Sequence, residues 1–243
     1  MHVQGAKNLT KGPIQRQLFN LALPIMGTSF IQMAYSLTDM AWVGHLSSKD
    51  VAAIGAVGIL TWMANSISLL NKVGAEVSVG QKIGSRDEEG ARSYSSHNLT
   101  IALILSLLLG GIMFTFSSSI VGIYKMESSI TLKATQYLQI VASAFPFIFL
   151  SAAFTGIHNA AGQSKIPFYI NGCGLIINML LDPLLIFGFD YGVRGAAWAT
   201  WISQATVCML FVYQLKKRSK LFGGFQFFTP LNGTITKHIF KLG

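Results

Sequence analysis

Charge is scarce in this chain. Only 11% of its 243 residues are Asp, Glu, Lys or Arg, where a soluble domain carries about 25%. Acids are scarcer still, with nine Asp and Glu against 18 Lys and Arg. Cysteine is nearly absent. Cys173 and Cys208 both sit in apolar runs and match no metal spacing, so they define no disulfide or zinc framework and say nothing of redox compartment. No His-Glu-x-x-His, Gly-x-Ser-x-Gly or phosphate loop occurs, and the five histidines (His2, His45, His97, His158, His238) are scattered. The chain is therefore not read as an enzyme. What it has in abundance is apolar surface: 51% hydrophobic residues and a mean hydropathy of +0.51. Together these predict an integral membrane protein.

A spanning helix needs roughly 20 mostly apolar residues. Six runs meet that length or nearly so: 17–38, 51–71, 93–124, 134–156, 166–189 and 195–215. They are too long for strands and lack period-two alternation. The expected fold class is all-α, a polytopic six-helix transmembrane bundle. The first run is not a cleaved signal peptide, because it carries Pro24, is followed by Asp39 and has no small-residue cleavage site after it.

The net charge of +9 would suit nucleic acid, but its placement points to lipid headgroups instead. Thirteen basic residues fall on one predicted side. They are Lys7, Lys11, Arg16, Lys82, Arg86, Arg92, Lys165, Lys216, Lys217, Arg218, Lys220, Lys237 and Lys241. Four fall on the other, Lys49, Lys125, Lys133 and Arg194, with Lys72 inside span two. Both ends are expected in the cytoplasm. The partner implied is a lipid bilayer, with no nucleic acid.

Connections fit this layout. "SSKD" (47–50) reads as a helix start capped by Ser47, with Asp50 three residues on. "GSRDEEGA" (84–91), "NAAGQSK" (159–165) and "GFDYGVRG" (188–195) read as turns. At the start, Pro13 precedes Ile14, Leu18 and Leu21, a spacing that suits an amphipathic helix on the inner surface before span one rises. At the end, "ITKHIFKLG" (235–243) repeats the pattern of "IQRQLFNLA" (14–22). A second six-helix repeat is expected to begin there, as in other transporters built from parallel repeats. The division is then a cytoplasmic amphipathic start (1–16), a six-helix lobe (17–216) and a cytoplasmic linker with the start of the second repeat (217–243).

The chemistry lies in three polar interruptions. Asp182 breaks "INMLLDPLLIFG", about seven residues or roughly 10 Å below the outer end of span five. Thr200 lies at a similar depth in span six, and Asp39 in span one. Asn178, four residues before Asp182, shares its helix face. Two carboxylates, an amide and a hydroxyl would hold a proton or a hard cation such as sodium through oxygen. An Asp at mid-helix costs about 2.5–3.5 kcal/mol on insertion scales, which favours a functional role. The alternative is that Asp39 and Asp182 merely cap helix breaks near Gly44 and Pro183.

Four segments carry a family resemblance: "LTDMAWVGHLSSKDVAAIG" (37–55), "GQKIGSRD" (80–87), "AAGQSKIPFYINGCGLIINMLLDPLLIFG" (160–188) and "GVRGAAWATWISQ" (192–204). The chain resembles the N-terminal half of a multidrug and toxic compound extrusion (MATE) transporter of the bacterial and archaeal type, from about Ile14 to Leu215. The resemblance implies one lobe of a 12-helix, two-lobe antiporter in a bacterial inner membrane. It implies export of small amphipathic, often cationic, organic compounds, coupled to sodium or proton entry, with no cofactor beyond the coupling ion. The family's N-lobe cation site matches Asp39, Asn178, Asp182 and Thr200. The same four would ligate the metal if sodium is the ion.

Other features depart from the family or allow two readings. Lys72 and Glu76 are charges the family pattern does not lead one to expect; they read as a solvated i,i+4 pair at the inner interface, or as a gate. Pro24 and Pro146 either hinge their helices or serve packing alone. Tyr35, Phe145, Phe147, Phe149 and Phe154 either line a drug pocket or face lipid and neighbouring helices. A lipid-linked oligosaccharide flippase of the same superfamily is the alternative function; such flippases carry basic residues in the cavity, where this chain places acids. The matched-depth cluster speaks against a purely structural membrane protein.

Overall fold

The structure is a computed structural model describing residues 13–218 and 229–243, with the side chains of residues 216–218 left out. The expected basic residues Lys7, Lys11 and Lys220, the polar cap before Pro13 and most of the linker lie outside the described residues.

Among the described residues eight α-helices follow in order: α1 (Ile14–Gly44), α2 (Ser48–Gly84), α3 (Glu88–Thr115), α4 (Ser117–Gly122), α5 (Ser128–Ala160), α6 (Lys165–Pro183), α7 (Val193–Arg218) and α8 (Gly233–Leu242). A π turn, Leu184–Gly188, extends α6. Among the described residues there is no strand, as the run lengths predict. Six segments are long and apolar enough to cross a membrane: Ile14–Gly44, Ser48–Gly84, Glu88–Thr115, Ser128–Ala160, Lys165–Gly188 and Val193–Leu215. They match the six expected spans in order.

Two expectations change. The run 93–124 is not one helix. Phe116 leaves the helical region (φ −99°, ψ 14°) and the short α4 follows. Serine hydroxyls compete for backbone carbonyls, and Ser117 Oγ donates to Phe114 O at 3.0 Å. Nor does the amphipathic start form a separate surface element. Residues from Ile14 continue into span one as a single helix through Pro24. Thr28 Oγ1 donates to the Pro24 carbonyl at 2.9 Å one turn on.

Caps and ion pairs set the helix ends. Ser47 Oγ accepts from the Asp50 amide at 3.2 Å and donates to Asp50 Oδ2 at 2.6 Å, so the expected helix start is present. Lys133 reaches Asp50 Oδ1 at 2.5 Å and Lys49 reaches Glu127 at 2.8 Å, tying the starts of α2 and α5 together. At the opposite end Asp87 caps α3 through the Gly90 amide at 2.8 Å and pairs with Lys82 at 2.8 Å. The Lys82 hydrogen bond holds the Asp87 carboxyl below the usual carboxylate range.

Helix α5 is the hub, packing on α2, α3, α4 and α7, whereas α1 leans chiefly on α6, and α6 on α7. Lipid tails are as apolar as leucine, so association relies on close packing. Small residues supply it: Ala134, Ala142, Ala144 and Ala153 of α5 and Ala196, Ala197 and Ala199 of α7 are fully buried or nearly so. At Gly156 a Cβ would sit 2.6 Å from the Lys72 carbonyl, so only glycine lets α5 approach α2 there.

That approach leaves the Lys72–Glu76 pair half-buried rather than fully solvated as expected. Its ions stand 3.9 Å apart with side chains 13% and 27% exposed. Glu76 also accepts from Asn159 Nδ2 of α5 at 2.8 Å. The aromatic residues also resolve toward packing. Phe145, Phe149 and Phe154 are buried in the core, Phe154 stacks on Phe211, and Phe147 meets Trp201 edge to face.

Candidate cation site

Three helices bring the predicted polar residues together. Asp39 lies in the last two turns of α1, which His45 caps through bonds to Trp42 O and Val43 O. Asn178 and Asp182 lie one turn apart on α6, both fully buried. Thr200 lies in the second turn of α7. Thr200 Oγ1 is 3.3 Å from Asp39 Oδ2 and 3.1 Å from the Ala196 carbonyl. Asp39 also neighbours the Asp182 and Asn178 side chains, with Thr200 as its one hydrogen-bond partner among the described residues. All four residues singled out from depth alone therefore meet.

Local backbone chemistry explains how Asp182 ends up inside the bundle. Pro183 has no amide hydrogen to give the Met179 carbonyl, and the helix widens directly after it. Phe189 N reaches Leu184 O at 2.9 Å, and Tyr191 and Gly192 reach Leu185 and Ile186 at 3.2 Å. π turns of this kind are frequent at functional sites. Helix α7 then packs against the turn through Gly195, where a Cβ would stand 2.6 Å from the Leu185 carbonyl and 2.8 Å from the Ile186 nitrogen. That contact sets Thr200 opposite Asp39.

The cluster is short of hydrogen bonds. One hydroxyl hydrogen on Thr200 cannot serve both of its acceptors fully. The Asn178 Nδ2 to Asp182 Oδ1 contact is 3.5 Å, at the long limit for such a bond. Asp39 Oδ1, Asn178 Oδ1, Asp182 Oδ2 and the Tyr35 hydroxyl are buried without a partner. Each orphan costs about 1–3 kcal/mol. Three of the four are oxygens that only accept, so what fits among them is a positive charge: a proton shared by the carboxyls, or a hard cation bound by oxygen. Among the described residues no three His, Cys, Asp or Glu side chains converge. The donor set is two carboxylates with neutral oxygens, which does not suit a soft transition metal.

Sequence reasoning missed part of the surroundings. Tyr35 has a polar role beyond the pocket or packing readings: its hydroxyl sits over Gly174 and beside Ser203, within electrostatic range of both carboxylates. Tyr35 precedes Asp39 by four residues and Ser203 follows Thr200 by three, so helical spacing would have found both. Tyr137 of α5 also lies within electrostatic range of both carboxylates, and no spacing rule reaches it from another helix.

Known proteins carry the same arrangement of helices. The MatE family profile matches residues 24–184. The chain is 28% identical over 212 residues to the probable multidrug resistance protein NorM of Thermotoga maritima, covering 85% of this chain and 46% of that one. It is 25% identical over 234 residues to the multidrug export protein MepA of Staphylococcus aureus, covering 96% and 52%. A solved MATE structure in a bent conformation superposes with a TM-score of 0.90 at 25% identity, covering all of this chain and 54% of that one. The chain spans about half the length of the curated relatives it matches. With six spans in order and a family match across most of them, the chain belongs to the MatE family, whose members are transport proteins rather than enzymes.

Proposed function

We propose that the chain is the N-terminal lobe of a cation-coupled antiporter that exports amphipathic, cationic organic compounds by alternating access. The single observation that carries this reading is the pair of buried carboxylates whose oxygens Asp39 Oδ1 and Asp182 Oδ2 lack partners. Asp39, Asn178, Asp182 and Thr200 bind the coupling ion, sodium or a proton. The relatives' names, a multidrug resistance protein and a multidrug export protein, support the substrate class. The lobe sits in a bacterial inner membrane with both ends of the segment cytoplasmic, as the basic residues suggest. A second six-helix lobe completes the transporter, and α8 is its beginning.

Coupling requires the ion to bind the two access states with different affinity. Three helices share the site, so any movement of α1 against α6 and α7 changes the distance between Asp39 and Asp182. A bound positive charge favours the state that brings them together. Substrate on the other side of the cycle favours separation.

The test is export of a fluorescent organic cation by the full-length natural transporter in vesicles with imposed sodium or pH gradients. Export should follow one gradient in the native protein and be lost in the Asp39→Asn, Asp182→Asn double variant. Gradient-driven export at the native rate by that variant would overturn the reading.

A further inference from the structure

A second site lies on the other side of α7 and does not involve the cation cluster. An open groove of about 540 Å³ is lined by Leu185 of the π turn, Tyr191 of the loop, and Arg194, Trp198 and Ile202 of α7. The last three recur every four residues and form one stripe. Trp198 points about 200° around the helix from Thr200, away from Asp39. All five belong to the rim of the bundle, where α6 meets α7, whereas α8 docks on α2 and α3. Resting on the proposed reading that a second lobe follows α8, this groove lies away from that lobe and faces the bilayer.

The groove is graded in depth. Arg194 is the second residue of α7, at the membrane surface. Tyr191 and Trp198 flank it at headgroup level, where such rings concentrate. Ile202 lies two turns deeper, about 12 Å along the helix. Charge at one end and apolar wall along the rest match one class of molecule, an amphipath with an anionic head and an acyl chain.

The charge is available. Of the other three basic side chains at this end, Lys49 is paired with Glu127 and Lys133 with Asp50, and Lys125 lies outside the groove lining. Arg194 forms no ion pair among the described residues, and the nearby Asp190 is exposed outside the groove lining. A guanidinium presents a planar fork suited to phosphate. We propose that this groove holds one anionic phospholipid, its phosphate on Arg194 and its acyl chain along Leu185, Trp198 and Ile202. The site is a wedge between the π turn and α7, the two elements that position Asp182 and Thr200.

Native mass spectrometry of the full natural chain in mild detergent tests this, with added phosphatidylglycerol or phosphatidylcholine of identical acyl chains. One phosphatidylglycerol should be retained in preference to phosphatidylcholine. Arg194→Gln should lower its retention on the order of five-fold, the effect of one basic residue at an anionic surface. Arg194→Lys should retain more than Arg194→Gln, and Trp198→Ala should weaken both lipids. Arg86→Gln, at the opposite end of the bundle, should change nothing. Equal retention of the two lipids, or phosphatidylglycerol retention indifferent to Arg194→Gln, would overturn the proposal. So would an equal loss in Arg86→Gln, which would mean diffuse attraction. Glycerol phosphate competing as well as the whole lipid would also overturn it, by reducing the site to a phosphate contact.

Discussion

Two clusters of polar side chains are buried in this bundle, and they are built on opposite terms. Between α2 and α3, Asn71 and Asn98 are both almost inaccessible and bind each other directly. Asn71 Nδ2 donates to the Asn98 carbonyl at 3.2 Å, and Asn98 Nδ2 donates to the Asn71 carbonyl at 2.8 Å and to its Oδ1 at 2.9 Å. Among α1, α6 and α7, four side chains converge with one long hydroxyl contact and one amide contact at 3.5 Å, leaving three acceptor oxygens and a tyrosine hydroxyl orphaned. The first cluster consists of neutral groups that bind each other, with one oxygen, Asn98 Oδ1, left over, and a neutral pair of this kind serves as a clasp. The second carries two acids and stays incomplete. Burial alone does not separate structure from function here; buried acid groups with several unmet oxygens do, against one unmet oxygen in a neutral pair.

Substitutions should divide along that line. Replacing both Asp39 and Asp182 by Asn gives the largest functional effect, complete loss of gradient-driven export. The fold should survive, since removing uncompensated buried charge does not cost stability. A thermal melt of the purified variant at or above the native midpoint would agree; a collapse would move the acids into the structural class.

Gly195→Val comes next. Its side chain would meet the backbone of Leu185 and Ile186, which cannot rotate away. Overpacking of this kind costs about 1–3 kcal/mol, and it separates Thr200 from Asp39. Both the melting midpoint and export should fall, unlike either cluster's own variants.

Asn98→Leu should lower stability by about 1–2 kcal/mol, the range of interhelical hydrogen bonds in membranes. Export per folded molecule should be unchanged, read as rate divided by the folded fraction. An export defect without a stability defect would break the comparison.

Thr200→Ala is the mildest. It removes one neutral oxygen, worth about 0.6 kcal/mol in membrane double-mutant cycles, so half-maximal ion concentration should rise roughly three-fold. The melting midpoint should hardly move.

Much of this was legible in the sequence, for identifiable reasons. Hydropathy located all six spans because a bilayer demands apolar runs. It misjudged their ends, because helix propagation does not stop where apolarity does: α2 continues to Gly84, well past Asn71. It also joined α3 to α4, since Phe116 and the serines after it are not charged enough to register as a break. That Asp39, Asn178, Asp182 and Thr200 come together was legible because depth and face along a helix are arithmetic. The π turn after Pro183 was not, as proline signals a disturbance without specifying its form. Tyr137 was illegible because it comes within electrostatic range of the carboxylates from a fourth helix. The partial burial of Lys72 and Glu76 depends on Gly156, eighty residues away from Glu76, a contact only the fold supplies.

The central claim is that Asp39 and Asp182 themselves take up the coupling ion. Infrared difference spectroscopy of the full-length transporter, recorded on switching sodium concentration or pH, reads carboxyl groups directly. The native protein should show carboxyl bands that change on the switch. Those bands should be reduced in Asp182→Asn and absent in Asp39→Asn, Asp182→Asn. An unchanged carboxyl difference spectrum in the double variant would contradict the account.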